Sequence, residues 1–296
     1  MSEPDPRVSV IIPIFNGARF LTEAIQSVLG QSFELWELIL VDDGSSDQCA
    51  LIAIEYVKRY PRKIRFLQHP GGGNRGTAAT RNLGIAHARS EFVANLDQDD
   101  VWTESKLEEQ LAILDRRPTV AMTFGPMRLW YNWSNAAKAG RDKVQTFTFK
   151  TDTLFQPPHF LPPLLTGKND PHGYLIRRDA IHNVGGYEEN VGICEDWAFY
   201  TKIALKHEIF VARNCNYYYR QHTEQACSLR REKGELYAGF IPFYDWLRGY
   251  LAENGCADRQ VLRAFQAAVR RNRVNRWREL VAHSARRLLR SISRHA

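Results

Sequence analysis

The sequence predicts an α/β fold: a mostly parallel sheet with helices on both faces, followed by a basic helical tail. Three observations carry this. Strand-like and helix-like segments alternate from Val8 to Phe124, the leading strands are continuous apolar runs, and from Arg259 onward arginines alternate with apolar residues at helical spacing. With 296 residues, 44% of them apolar, the chain can bury a sizeable core.

Val8 to Ile14 is an unbroken apolar run ended by Phe15-Asn16-Gly17, the pattern of a strand buried on both faces. A helix follows, with Phe20, Leu21, Ala24, Ile25, Val28 and Leu29 on one stripe, Asn16 as its expected cap and Gly30 as its stop. Strands are expected at Glu37–Val41, Lys63–Gln68, Glu91–Leu96 and Thr119–Phe124. Helices are expected over Asp47–Tyr60, Thr77–Ala88 and Thr103–Arg116, the last with Leu107, Leu111 and Leu114 on one face. Residues 126–171 show no regular pattern and are read as an irregular insertion over the active face of the sheet. Order returns with a short strand ending at Arg177, a helix near Asp179–Val184, a Gly185-Gly186 turn, a helix from Glu195 and a closing strand in Tyr217–His222. The expected division is a catalytic domain over 1–228 and a basic amphipathic helical segment over 229–296.

Charge is unevenly placed. The net charge is +7, yet residues 259–296 hold eleven arginines against the single acid Glu279, leaving the body near −3. A near-neutral body argues against nucleic acid as a partner. Five scattered cysteines without a C-x-x-C pair fit neither a disulfide framework nor a zinc site, and suit a reducing cytoplasm. No apolar run reaches the roughly 18 residues of a membrane span, and the Asn132-Trp133-Ser134 triplet reads as coincidence.

Asp42-Asp43 closes the second strand and Asp97-Gln98-Asp99-Asp100 the fourth, so two carboxylate clusters are expected on one rim of the sheet, where open α/β sheets bind ligands. Carboxylates this close repel unless a cation joins them, and hard oxygens favour Mg²⁺ or Mn²⁺ bridging a diphosphate. Acidic residues after strands are also common turn formers and caps, the role expected for Asp47 and Asp100.

The order of Val8–Gly17, Val41-Asp-Asp-Gly-Ser-Ser-Asp47, Arg81-Asn-Leu-Gly84, Asp97-Gln-Asp-Asp100, Glu195-Asp196 and Tyr219-Arg-Gln-His222 resembles the inverting family 2 glycosyltransferases of the GT-A fold, over roughly residues 8 to 228. The resemblance implies transfer of one sugar from a UDP- or dTDP-sugar donor to a glycan or glycolipid acceptor, in bacterial surface polysaccharide or glycolipid assembly, with Mn²⁺ or Mg²⁺ as cofactor. It places Asp43, with Asp42 beside it, on the nucleobase, and Pro13, Phe15 and Asn16 along the same pocket. Asp99 becomes a metal ligand, Asp97 lies nearer the ribose, and Arg81 sits on the nucleotide side. Arg220 pairs with the diphosphate through its fork, His222 completes the metal site, and Asp196 is the general base. Glu195 is read as a helix cap. Arg75, in the loop Gly71–Gly76, is either a donor contact or part of an ordinary loop; Trp130 and Trp133 either stack on acceptor sugars or simply pack.

The arginine-rich tail either lies on an anionic membrane surface or packs on the body with its arginines solvated. The expected location is therefore the cytoplasm, at the inner face of the membrane if the tail docks there. Two other readings compete: a catalytically inactive nucleotide-sugar or nucleic-acid binding protein, and a nucleotidyltransferase, against which Asp196 and Tyr219–His222 speak. A processive synthase is disfavoured, since neither membrane spans nor a Q-x-x-R-W segment is present.

Overall fold

The computed structural model describes residues 5–134 and 140–292, with the side chains of the last helix followed as far as Ser284. In chain order the elements are β1 (Val8–Ile14), α1 (Ala18–Leu29), β2 (Trp36–Asp42), α2 (Cys49–Arg59), β3 (Ile64–Gln68), α3 (Thr77–His87), β4 (Phe92–Asn95), β5 (Val101–Trp102), α4 (Lys106–Arg116), β6 (Val120–Phe124), β7 (Met127–Trp130), β8 (Lys143–Val144), β9 (Thr153–Phe155), α5 (Leu161–Leu164), β10 (Leu175–Arg177), α6 (Arg178–Val184), α7 (Glu195–Lys206), β11 (Glu208–Val211), β12 (Tyr217–Arg220), α8 (Ala226–Lys233), α9 (Ile241–Glu253) and α10 (Arg259–Ile292).

Among the described residues, eight strands form the main sheet in the order β3-β2-β1-β4-β10-β6-β11-β9. The first four are mutually parallel, whereas β10 runs antiparallel between β4 and β6. Strand periodicity explains why β1 reads as one apolar run. Val10, Ile12 and Ile14 face the core shared with α1, α2 and α4, while Ile11 faces the opposite core, shared with α3, α6 and α7. At Gly84 an added Cβ would stand 2.6 Å from Ile11 Cγ2, so this glycine lets α3 lie flat on β1.

The structure departs from the sequence reading in three places. Asn16 is not the cap of α1: it adopts φ 48, and Asp47 instead accepts the Ala18 N–H through Oδ2 at 2.9 Å. Through Oδ1 the same carboxylate accepts the Cys49 N–H at 3.0 Å, so one side chain serves the first turns of two helices. Asp100 caps nothing; fully buried, it accepts from Tyr217 Oη at 2.7 Å and the Arg220 N–H at 2.8 Å. Residues 126–171 are not structureless: β7 and β8 join β5 and β12 in a second sheet, β9 edges the main one, and Phe147, Phe149, Phe155 and Phe160 pack around Phe124. Their aromatic spacing is too irregular for either helical or strand periodicity to expose it.

One face of the first half of α10 is core. Val261 and Ala268 of α10 are fully buried with Phe243, Leu247 and Leu251 of α9, in the cluster that also holds Phe199 and Ile203 of α7. Farther along α10, Val274, Trp277, Leu280 and Val281 are exposed, Trp277 by 65%. Leu288, Leu289 and Ile292, whose spacing extended this stripe in the sequence, have side chains outside the described residues. No helix among the described residues is long and apolar enough to cross a membrane.

Replacing Asp47 by Ala should cost about 1–2 kcal/mol for the lost caps, read as a lower urea midpoint with unchanged slope. An unchanged midpoint would show that Asp47 does not hold α1 and α2.

Candidate active site

The parallel strands β2, β1 and β4 end on the same rim, which brings the two acidic clusters together across β1. Asp43 is almost fully buried, and its carboxylate accepts the backbone N–H groups of Arg75 at 2.6 Å and Gly76 at 2.9 Å. It thereby fixes the end of the glycine loop against the rim and leaves the Arg75 side chain exposed along the cavity. Asp42 faces away, accepting from Gln68 Nε2 at 3.1 Å, and does not line the cavity. On the other side, the Gln98 amide accepts the Phe15 N–H at 2.9 Å and donates to the Phe15 carbonyl at 2.8 Å. Gly17 makes room for that clasp, since a Cβ there would lie 2.3 Å from Gln98 Cδ. Pro13, Phe15 and Asn16 consequently form one wall of the cavity, with Phe15 45% exposed.

Asp99 is positioned from below. Arg220, 2% exposed, donates through Nε to the Asp99 carbonyl at 2.6 Å and through Nη2 to Glu23 at 2.6 Å. Its guanidinium lies among Phe20, Trp130 and Trp133, with 4.5 Å to the Trp130 ring centre. Neither Arg220 nor these two tryptophans line the cavity. Asp99 Oδ2 stands 2.9 Å from His222 Nε2, and His222 Nδ1 is buried without a partner. The hard carboxylate oxygen of Asp99 suits Mn²⁺ or Mg²⁺, and the His222 imidazole nitrogen stands close enough to reach the same ion. No group of three or more His, Cys, Asp or Glu among the described residues could hold a metal ion. The protein would thus offer a cation two side chains here and not an all-protein cage.

Arg81 joins this rim to α7. Only 4% exposed, it donates through Nη2 to Asp97 at 2.7 Å and through Nη1 to Asp196 at 2.6 Å, with Glu195 at 3.6 Å. The carboxylates raise Arg81 further above its ordinary value despite the opposing effect of burial. Burial raises the Asp196 carboxyl, and Arg81 opposes that rise. Glu195 is pushed up to about 7 by burial and by Asp196 beside it. Its carboxylate thus belongs to the Arg81 cluster, where the sequence suggested only a helix cap. Asn95 donates to both Tyr174 Oη at 2.6 Å and Tyr187 Oη at 2.8 Å, and Arg81 lies 5.3 Å from the Tyr187 ring centre, so the cluster rests on a buried polar floor.

A cavity of about 1170 Å³ connects these groups. Pro13, Phe15, Asn16, Asp43, Arg75, Arg81, Asp97, Asp99, Asp196 and His222 all line it; Asp42 and Arg220 stand behind the wall. Sequence reasoning missed Glu23, Asp170, His172 and Trp197. Asp170, raised by burial, and His172 border Asp196 but lie at the edge of the stretch read as an irregular insertion. The one signal there was the compact run Asn169-Asp-Pro-His172 just before order returns.

Residues 9–184 match the sequence profile of glycosyl transferase family 2. The chain belongs to this family. A Rickettsia prowazekii protein named as the uncharacterized glycosyltransferase RP339 is 38% identical over 244 residues, which are 80% of this chain and 72% of that one. The chain spans less of other Bacillus subtilis relatives: 39% of EpsE, at 40% identity over 38% of this chain, and 24% of the minor teichoic acid biosynthesis protein GgaB, at 27% identity over 76% of this chain. Among solved structures, S. aureus TarS 1-349 in complex with UDP superposes with a TM-score of 0.57 at 20% identity, covering 83% of this chain and 72% of that one. The mannosyltransferase PcManGT from Pyrobaculum calidifontis, in complex with GDP-Man and Mn²⁺, gives 0.57 at 19% identity over 96% and 81%. The fold is GT-A, and the chain carries a glycosyl transferase family 2 domain.

Proposed function

We propose that this chain transfers a single sugar, with inversion, from a UDP- or dTDP-sugar to a hydroxyl of a glycan or glycolipid acceptor, with Asp196 as general base. The observation that carries this reading is the half-buried Asp196 facing the same cavity as Asp43, Asp97 and Asp99, held there by Arg81. Asp43, Pro13, Phe15 and Asn16 receive the nucleoside, Arg75 borders it from the loop, and Asp97 lies on the ribose side. Asp42 and Arg220 support the site from behind, Arg220 by fixing the Asp99 backbone. Asp99 and His222 would hold Mn²⁺ or Mg²⁺, which when bound supplies positive charge for the departing diphosphate. The complexes of TarS with UDP and of PcManGT with GDP-Man and Mn²⁺ support a nucleotide-sugar donor and a divalent ion.

In the transfer, Asp196 takes the proton of the acceptor hydroxyl as its oxygen bonds to the anomeric carbon. The bond from that carbon to the diphosphate breaks on the opposite face, and the proton ends on Asp196. The base must be ionised, and its carboxyl is raised; activity is therefore full above that raised value and falls as pH drops through it. Asp196→Asn should lower kcat by about 10²–10⁴-fold while UDP still binds, and Asp99→Ala should abolish the Mn²⁺-dependent part of UDP binding. Full turnover in either variant would refute these assignments.

The exposed stripe Val274, Trp277, Leu280 and Val281 is flanked by Arg273, Arg276 and Arg278, a pairing that suits an anionic bilayer. Each arginine near such a surface contributes about 1 kcal/mol. The protein would then work at the inner face of the cell membrane, on surface polymers or glycolipids, and the name of its relative GgaB supports that setting. Trp277→Glu should reduce co-sedimentation with phosphatidylglycerol vesicles without changing UDP binding. Equal sedimentation of both proteins would remove α10 as the docking element.

A further inference from the structure

The cavity extends well past the reacting groups. Beyond Asp196 it runs between the loop following α5, helix α8 and helix α10, and three cationic side chains from these three elements line it: Lys168, Arg231 and Arg271. All three are exposed, and none makes an ion pair among the described residues. Arg271 is set in place by donating to the Leu165 carbonyl, at the start of the loop that carries Lys168. Its neighbour Asn272, buried, donates to the Tyr237 carbonyl at 3.1 Å, and Glu279 accepts the N–H groups of Leu236 and Tyr237 at 3.2 and 3.1 Å. These bonds fasten α10 to the segment after α8, so the basic helix forms a fixed wall of the cavity. Trp197, next to the proposed base, also lines the cavity.

The charges of the two ends are opposed. At the reacting end the carboxylates Asp97, Asp99, Glu195 and Asp196 outnumber the cations Arg75 and Arg81, which disfavours an acceptor's anionic groups there. Lys168, Arg231 and Arg271 attract such groups to the far end, and guanidinium forks match phosphate oxygens. We infer that the far end is an acceptor subsite for a phosphate or phosphodiester, carried on the acceptor at a distance from the hydroxyl that is glycosylated. The polarity orients the acceptor: its anion anchors at the cations and its hydroxyl reaches Asp196. This deepens the proposed transfer reaction and rests on it. It also gives the arginine-rich helix a role inside the site, separate from that of its exposed stripe.

The shared chemistry, a phosphate ester, could belong to a glycan or to a lipid headgroup, so the test has an arm for each. The full chain and its Lys168→Gln/Arg231→Gln/Arg271→Gln variant are saturated with UDP and Mn²⁺. Each is then titrated with glycerol phosphate, and with glycerol as the neutral control, by saturation-transfer NMR. The wild type should bind glycerol phosphate and ignore glycerol, and the variant should bind it at least about tenfold more weakly at equal UDP affinity. In the second arm, both proteins should sediment alike with phosphatidylglycerol vesicles. Equal glycerol phosphate binding by both proteins, or none by a wild type that binds UDP, would overturn the subsite and leave the donor reading intact. So would vesicle binding lost in the variant with no glycerol phosphate signal, since the cations would then serve a headgroup. Failure of the wild type to bind UDP would instead be a failure of the underlying reaction, and the subsite would fall with it.

Discussion

Arg81 sits at 4% exposure with Asp97 on one side and Asp196 on the other, and the rest of the site depends on that double pairing. A buried guanidinium is tolerated only with close partners and good geometry, because desolvation otherwise outweighs the attraction. The three groups come from α3, the end of β4 and the start of α7, elements far apart in the chain. Satisfying one cation therefore sets the distance between the acidic rim and Asp196, the proposed base. Gly84 contributes to this from a distance, since only a residue without a side chain lets α3 approach β1 closely enough to aim Arg81 between the two acids.

The second acidic group is held by a parallel device. Asp100, buried and raised by its burial and by Asp99 and Asp97, bonds Tyr217 and the backbone of Arg220. Arg220 in turn fixes the Asp99 carbonyl, pairs with Glu23 and is packed among three aromatic rings. The small second sheet thus serves to carry His222 to Asp99. The two arginines have complementary duties: Arg220 stiffens the carboxylate proposed to meet the metal, and Arg81 stiffens the proposed base.

Much of this was legible in the sequence because parallel sheets leave a strong pattern. Continuous apolar runs gave the strands, and acidic residues at their ends gave the rim and most of its cavity-lining residues. What stayed hidden depends on contacts between distant segments. Asp100 and Asp47 look alike as loop acids, yet one is a buried strut and the other caps two helices. Asp42 and Asp43 are adjacent and point opposite ways, a consequence of strand alternation that motif matching alone overlooks. The aromatic packing of residues 126–171 lacks any period, so a folded region read as irregular. The tail's composition showed its charge but not that one face of its first half is core, nor that Arg271 reaches the cavity.

Arg81 is the link between the proposed base and the proposed donor rim. The most direct test is the pH dependence of kcat at saturating donor for the wild type, Arg81→Lys and Arg81→Met. Removing the guanidinium should move the acid limb to higher pH, since Arg81 opposes the rise of the Asp196 carboxyl. Arg81→Met should lose more in kcat than in donor KM, with Arg81→Lys in between. An acid limb and kcat unchanged in Arg81→Met would contradict the account.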